Sequence, residues 1–98
     1  MKIRFIHPAE QELKETYDYY EDQMAGLGDL FLNELNKTIK IIIEHPSSWT
    51  KVGKRTRRAI IKRFPYLILY IHETEKIYIT CIAHQHRNPE YYVDRLER

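Results

Sequence analysis

Two runs of alternating residues, 66–72 and 76–84, are separated only by Glu73-Thr74-Glu75. Alternation with a period of two is the signature of a strand with one buried face. Two such runs joined so briefly have few options besides an antiparallel hairpin. Leu67, Leu69 and Ile71 fall on one face with Ile77, Ile79, Cys81 and Ala83, and Tyr66, Tyr70 and His72 fall on the other with Tyr78, Thr80 and His84. An aliphatic sheet face needs a cover. The pattern therefore predicts that the aliphatic face packs on helices and that the Tyr/His face looks outward or into a shallow cleft.

The N-terminal half supplies the cover. Residues 2–7 alternate and read as a first strand. Pro8 suits a first helical turn, where its missing N–H costs nothing, and Glu10 and Glu12 suit that positive end. Ala9, Leu13, Tyr17, Tyr20 and Met24 keep helical spacing, which predicts a helix ending near Gln23. Ala25-Gly26-Leu27-Gly28 is a tight turn, and Leu27, Leu30, Phe31, Leu35, Ile39, Ile42 and Ile43 mark a second amphipathic helix. His45-Pro46 stops it, because a residue before proline is driven out of the helical region. Helices joined so briefly form an antiparallel hairpin. Residues 46–53 read as a loop with Trp49 tucked against the core, residues 57–64 as a further strand, and Asn88-Pro89-Glu90 as the start of a final short helix with Arg95 and Arg98 at its negative end. The predicted fold is α+β, an antiparallel sheet on an N-terminal helical hairpin in the order β-α-α-β-β-β-α. With 98 residues, the chain makes one domain, 1–98.

Charge is distributed unevenly along this chain. Residues 51–63 hold seven basic side chains (Lys51, Lys54, Arg55, Arg57, Arg58, Lys62 and Arg63) and no acidic one, whereas residues 10–44 hold nine acidic side chains against Lys14, Lys37 and Lys40. A polyanion would be repelled by the first half and drawn to the second, although a basic run can also be no more than a solvated face. A lone cysteine, Cys81, allows no internal disulfide and reads as a small buried hydrophobe. No apolar run reaches the length of a membrane span, and residues 1–6 are too short for the apolar core of a secretory signal. The expected compartment is the cytoplasm, with no membrane partner.

His84 and His86 stand two apart at a strand end without the cysteines or carboxylates of a zinc site, so neither a metal nor any other cofactor is expected. Gly26 and Gly28 lack the Gly-Lys-Ser/Thr of a phosphate loop. Arg57, Arg58, Lys62, Arg63 and Arg87 offer guanidinium and ammonium groups to phosphates or acidic surfaces, and Tyr70, Tyr78, Tyr91 and Tyr92 offer faces on which bases stack. Each tyrosine, taken singly, better suits a small second core beneath the C-terminal helix. RNA cleavage without a metal needs a base, an acid and cations for the extra phosphate charge. His84 with Arg58, Arg87 and Tyr91 would suffice chemically, but two histidines and two arginines also lie near one another in many inert proteins.

Several pieces occur in an order that resembles the RelE/ParE superfamily of toxins from type II toxin–antitoxin systems. They are Tyr17-Asp18-Tyr19-Tyr20, Gly26-Leu27-Gly28, His45-Pro46, Arg57-Arg58, Arg63-Phe64-Pro65-Tyr66, Ile68-Leu69-Tyr70 and the ending His84-x-x-Arg87. The resemblance covers nearly the whole chain. It implies an antitoxin encoded alongside, growth arrest by the free protein and a role such as plasmid stabilisation. Within the superfamily, RelE-like members are mRNA interferases that cut mRNA on the ribosome, and ParE-like members inhibit DNA gyrase. The ending Ile82-Ala83-His84-Gln85-His86-Arg87-Asn88 is more similar to the ParE side, with Asn88 where that ending usually carries Asp. A gyrase inhibitor is therefore expected, working through a target-binding surface of Arg57, Arg58, Lys62, Arg63, His84, His86, Arg87, Tyr91 and Tyr92. The alternatives are a ribosome-dependent endoribonuclease using His84, Arg58, Arg87 and Tyr91, and a non-toxic remnant that only binds its partner.

Overall fold

The computed structural model describes residues 1–97, so the expectation for Arg98 lies outside the described residues. Strand β1 (Lys2–Phe5) leads into helix α1 (His7–Gln23), with Pro8 in its first turn as predicted. Helix α2 (Leu27–Glu44) follows, then strands β2 (Thr50–Lys51), β3 (Thr56–Ile60), β4 (Tyr66–Glu73) and β5 (Lys76–His84). A 3-10 turn (Pro89–Tyr91) and the short helix α3 (Val93–Leu96) complete the chain. The sheet order is β1-β5-β4-β3-β2. All pairs are antiparallel except β1 with β5, which is parallel. The predicted loop at 46–53 thus contains the two-residue strand β2. The strand expected over 57–64 ends at Ile60, leaving Lys62 and Arg63 in a turn where Arg63 adopts a left-handed φ of 71°.

The turn between the helices is built by Glu21. Its carboxylate accepts the N–H groups of Gly26 (3.0 Å) and Gly28 (2.9 Å), covering the open donors at the start of α2. Gly26 sits at φ 89°, a conformation that favours glycine. A Cβ on Gly28 would lie 2.7 Å from Glu21 Cγ and 2.9 Å from the Tyr17 ring, so the helices approach closely there. Met24, placed on the helical stripe by its spacing, is exposed just past the end of α1.

The assignment of sheet faces needs correction. The side against the helices carries Ala59, Ile61, Tyr66, Ile68, Tyr70, Ile77, Ile79 and Ile82, packed on Ala9, Phe31, Leu35, Ile39 and Ile42. Leu67 and Leu69 point away from the helices with Cys81 and Ala83, and Ile71 follows by alternation. Val52, Tyr92 and Leu96 cover that second cluster. Ile77 and Ile79 face the helices as expected, but an irregularity in register intervenes. Leu69 pairs with Cys81 and Tyr70 with Ile79, so Thr80 is an extra residue in β5. One extra residue reverses the facing of everything beyond it. Tyr70, expected on an outward face, is fully buried and donates its hydroxyl to the Pro46 carbonyl at 2.6 Å. Trp49 packs against the main core, as read.

Candidate functional site

Strand β1 accompanies β5 only as far as Ile79. Beyond that point the chain has turned into α1, and the outer edge of β5 lies open. Glu12 of α1 fills the gap: its carboxylate accepts the backbone N–H of Ile82 at 3.0 Å. The same carboxylate accepts the Tyr91 hydroxyl and pairs with Arg95 at 2.9 Å, both from the C-terminal segment. Arg95 also donates to the Thr80 carbonyl at 2.9 Å, the residue that makes the irregularity in β5. A buried carboxylate is costly unless it is paired and fully hydrogen-bonded, and Glu12 meets both conditions.

These bonds perturb the groups that make them. Burial raises the Tyr91 phenol above its ordinary value, and the hydrogen bond to Glu12 adds to the shift. Burial works against the Arg95 charge, but the bond to Glu12 and the neighbouring charges more than offset it, so its pKa rises. Cys81, beneath the segment, is pushed up to about 12 by burial and then by the nearby Glu12 carboxylate. It is a buried hydrophobe, as its place in the sequence suggested.

A cleft of about 240 Å³ opens beside this junction, lined chiefly by Glu12, Glu15, Tyr19, Tyr66, His84, Arg87 and Tyr91. Rings run from the core to its wall: Phe31 lies 5.5 Å from Tyr66, and Tyr66 meets His84 edge-on at 5.3 Å. The turn after β5 is closed by Arg87 N–H donating to the His84 carbonyl at 2.9 Å. Within it, His84 Nδ1 accepts the His86 N–H at 3.0 Å, which places the ring proton on Nε2. The Arg87 guanidinium lies over the Tyr91 ring at 3.8 Å.

The residues singled out from sequence do not converge on one point. His84, Arg87 and Tyr91 share the cleft, and exposed His86 sits beside them. Arg58 pairs across β3–β4 with Leu69, so it projects to the side away from the helices, while His84 pairs with Tyr66 and projects toward them. The sheet lies between these two side chains. Arg57 faces the helical side and donates to the Trp49 carbonyl at 2.7 Å. Lys62 and Arg63 stand in the β3–β4 turn, Arg63 4.0 Å from Glu34 of α2. Tyr92 packs on the second cluster, and Tyr78 lines a separate hollow with Ile71 and Arg55. Among the described residues no cluster of His, Cys, Asp or Glu is suited to a metal ion.

Sequence reading missed Glu12, Glu15, Tyr19, Tyr66 and Arg95. One signal was available for Glu12. Its spacing puts it on one helical stripe with Ala9 and Thr16, a stripe that the structure shows to be buried, and a carboxylate on a buried stripe calls for partners.

Comparison with known proteins adds two findings. The chain matches the family model described as the ParE toxin of type II toxin-antitoxin system, parDE, over residues 3–89. It is also similar to a solved structure described as the chromosomal ParDE TA system from P. aeruginosa. That match has a TM-score of 0.73 at 15% identity, covering 86% of this chain and 95% of that one, and speaks for a shared fold. No curated relative matches the chain. The span of the family match takes in His84 and Arg87 and ends before Tyr91 and Arg95.

Proposed function

Because the chain belongs to the ParE toxin family of type II toxin–antitoxin systems, we propose that it arrests growth in the cytoplasm by inhibiting DNA gyrase until a cognate antitoxin captures it. The observation that carries this choice of target is the separation of Arg58 from His84 by the sheet. Metal-free RNA cleavage needs a proton acceptor and cations around the same phosphate. Here the exposed Arg58 lies on one side and the imidazole on the other, where, among the described residues, Arg87 is the single cation beside it and Glu12 and Glu15 are its neighbours. An arrangement of this kind favours a surface that binds a protein over one that cuts RNA. The open edge of β2, the exposed Leu30 and Ile41 of α2, and the acidic outer side of α1 suit capture by a partner helix or an added strand.

Pulse-labelling of DNA and protein synthesis in the minutes after induction without antitoxin tests the target. DNA synthesis is expected to fall first, with mRNA intact. An earlier fall in protein synthesis, accompanied by cleaved mRNA, would overturn the gyrase reading in favour of a ribosome-dependent nuclease. No fall in either would leave a partner-binding remnant.

A further inference from the structure

We propose that the cleft between α1 and the end of β5 receives a single carboxylate side chain presented by the protein target. This rests on the reading of the His84–Tyr92 region as the working surface, and it specifies the chemistry that the surface recognises. Among the described residues Arg87 forms no ion pair, yet its guanidinium is held over the Tyr91 ring, 3.8 Å from its centre. Tyr91 is itself fixed by its hydroxyl bond to Glu12. A planar cation oriented before its ligand arrives is suited to the two oxygens of a carboxylate. His84 supplies a second donor, because its Nδ1 is occupied by the His86 N–H and its proton is on Nε2. The turn bond from Arg87 N–H to the His84 carbonyl keeps the two side chains on one wall.

The charge balance selects the ligand. Glu12 is neutralised by Arg95 and by two further donors, so it presents no free negative charge to an incoming group. Glu15 also lines the cleft, and its carboxylate offsets the charge of Arg87. The single guanidinium fork matches one carboxylate, whereas a phosphate dianion or the repeated charges of a nucleic-acid backbone bring more negative charge than one cation can meet and are repelled more strongly by Glu15. At about 240 Å³ the cleft is also below the roughly 300–1,000 Å³ of small-molecule sites, a size for one short side chain. Thr16, Tyr19, Tyr66, Ile82 and Ala83 complete its lining.

The test titrates the isotopically labelled full chain with N-acetyl-aspartate methylamide, its asparagine counterpart and inorganic phosphate, following the Arg87 Nε–H and His84 ring signals by NMR. The aspartate probe is expected to give saturable shifts that the asparagine probe does not. Arg87→Gln is expected to weaken that binding about tenfold or more, with amide signals of both long helices unchanged. Arg87→Lys keeps the charge without the fork and should fall between the two. Equal response to asparagine, tighter binding of phosphate, or no saturable shift would overturn the proposal. A supercoiling assay separates this from the functional reading. If the unaltered chain fails to inhibit gyrase, the gyrase reading falls whatever the titration shows. If it inhibits and Arg87→Gln inhibits equally well, the carboxylate receptor does not serve the target and the proposal falls instead.

Discussion

The two sides of one sheet are closed by different means. Toward the N-terminal half, two long helices lay Phe31, Leu35, Ile39 and Ile42 over Ile68, Tyr70, Ile77 and Ile79, an extensive apolar contact. On the other side, among the described residues, Val52, Tyr92 and Leu96 cover Leu67, Leu69, Cys81 and Ala83. So small an apolar area cannot by itself fix a short segment against its conformational entropy. The segment is fastened instead by Glu12, through bonds whose geometry is directional. A large non-directional contact makes stability, while a small contact with a buried polar junction sets position. That position holds Tyr91, and through it Arg87, at the cleft.

The sharpest way to break the contrast is to damage each side in turn. Phe31→Ala removes a fully buried ring that packs on Tyr20, Phe64 and Tyr66. It is expected to cost about 3–5 kcal/mol, with urea unfolding curves from all probes moving together. Glu12→Ala leaves Arg95 without its counter-charge and the Ile82 N–H without an acceptor, a cost of about 3 kcal/mol. Its distinguishing readout is local. Hydrogen exchange of residues 85–96 should rise well before that of α1 and α2. If exchange rose evenly throughout the molecule, the two sides would be one cooperative unit and the comparison would fail.

A gentler perturbation reaches the small side alone. A Cβ on Gly53 would collide with the backbone carbonyl of Leu96. Gly53→Ala is therefore expected to lift α3 at a cost of about 1–3 kcal/mol, without altering near-neighbour signals in the helical core. Thermal unfolding with NMR of Leu96 and Phe31 as separate reporters checks this. An unshifted Leu96 would mean that the β2–β3 turn yields in place of the segment.

Sequence made the helical side legible because its information is local: stripes at helical spacing, the Gly26–Gly28 turn and the His45-Pro46 stop all act within a few residues. The hairpin of β4 and β5 was legible for the same reason. The facing of β4 was not. Thr80 is an ordinary strand residue, and nothing in its identity announces that it stands as an extra one. A strand face of tyrosine and histidine reads as the wetter one, whereas Tyr70 is buried with its hydroxyl satisfied by the Pro46 carbonyl. The parallel pairing of β1 and the bonds of Glu12 join positions some 70 or more residues apart, including Ile82, Tyr91 and Arg95. His84 and Arg87 were found because they share one turn. Arg58 could not be separated from them until the register showed that it faces the other way.

Alkaline pH offers the finest probe of the small side, because its cluster contains one titratable group that the helical side lacks. Cys81 has a thiol whose ordinary value of 9.0 is raised to about 12 by burial. A raised acid contributes no pH dependence while both states keep the proton, so stability is level below about pH 9. Above that the unfolded chain releases the proton and the folded one does not, and stability declines until the folded value is reached. By pH 10 the expected loss from this thiol is about 1 kcal/mol. Tyr70, raised to about 12 by burial on the helical side, begins its own decline only near its ordinary value of 10.0. Denaturant unfolding at successive pH values, compared with Cys81→Ala, isolates the interval between. The variant should decline less from pH 9 to 10 than the unaltered chain, the difference being the thiol's share, because Tyr70 and Tyr91, also raised, contribute to both as pH nears 10. An identical decline in both would mean that the C-terminal segment has already lifted and the thiol titrates in contact with water.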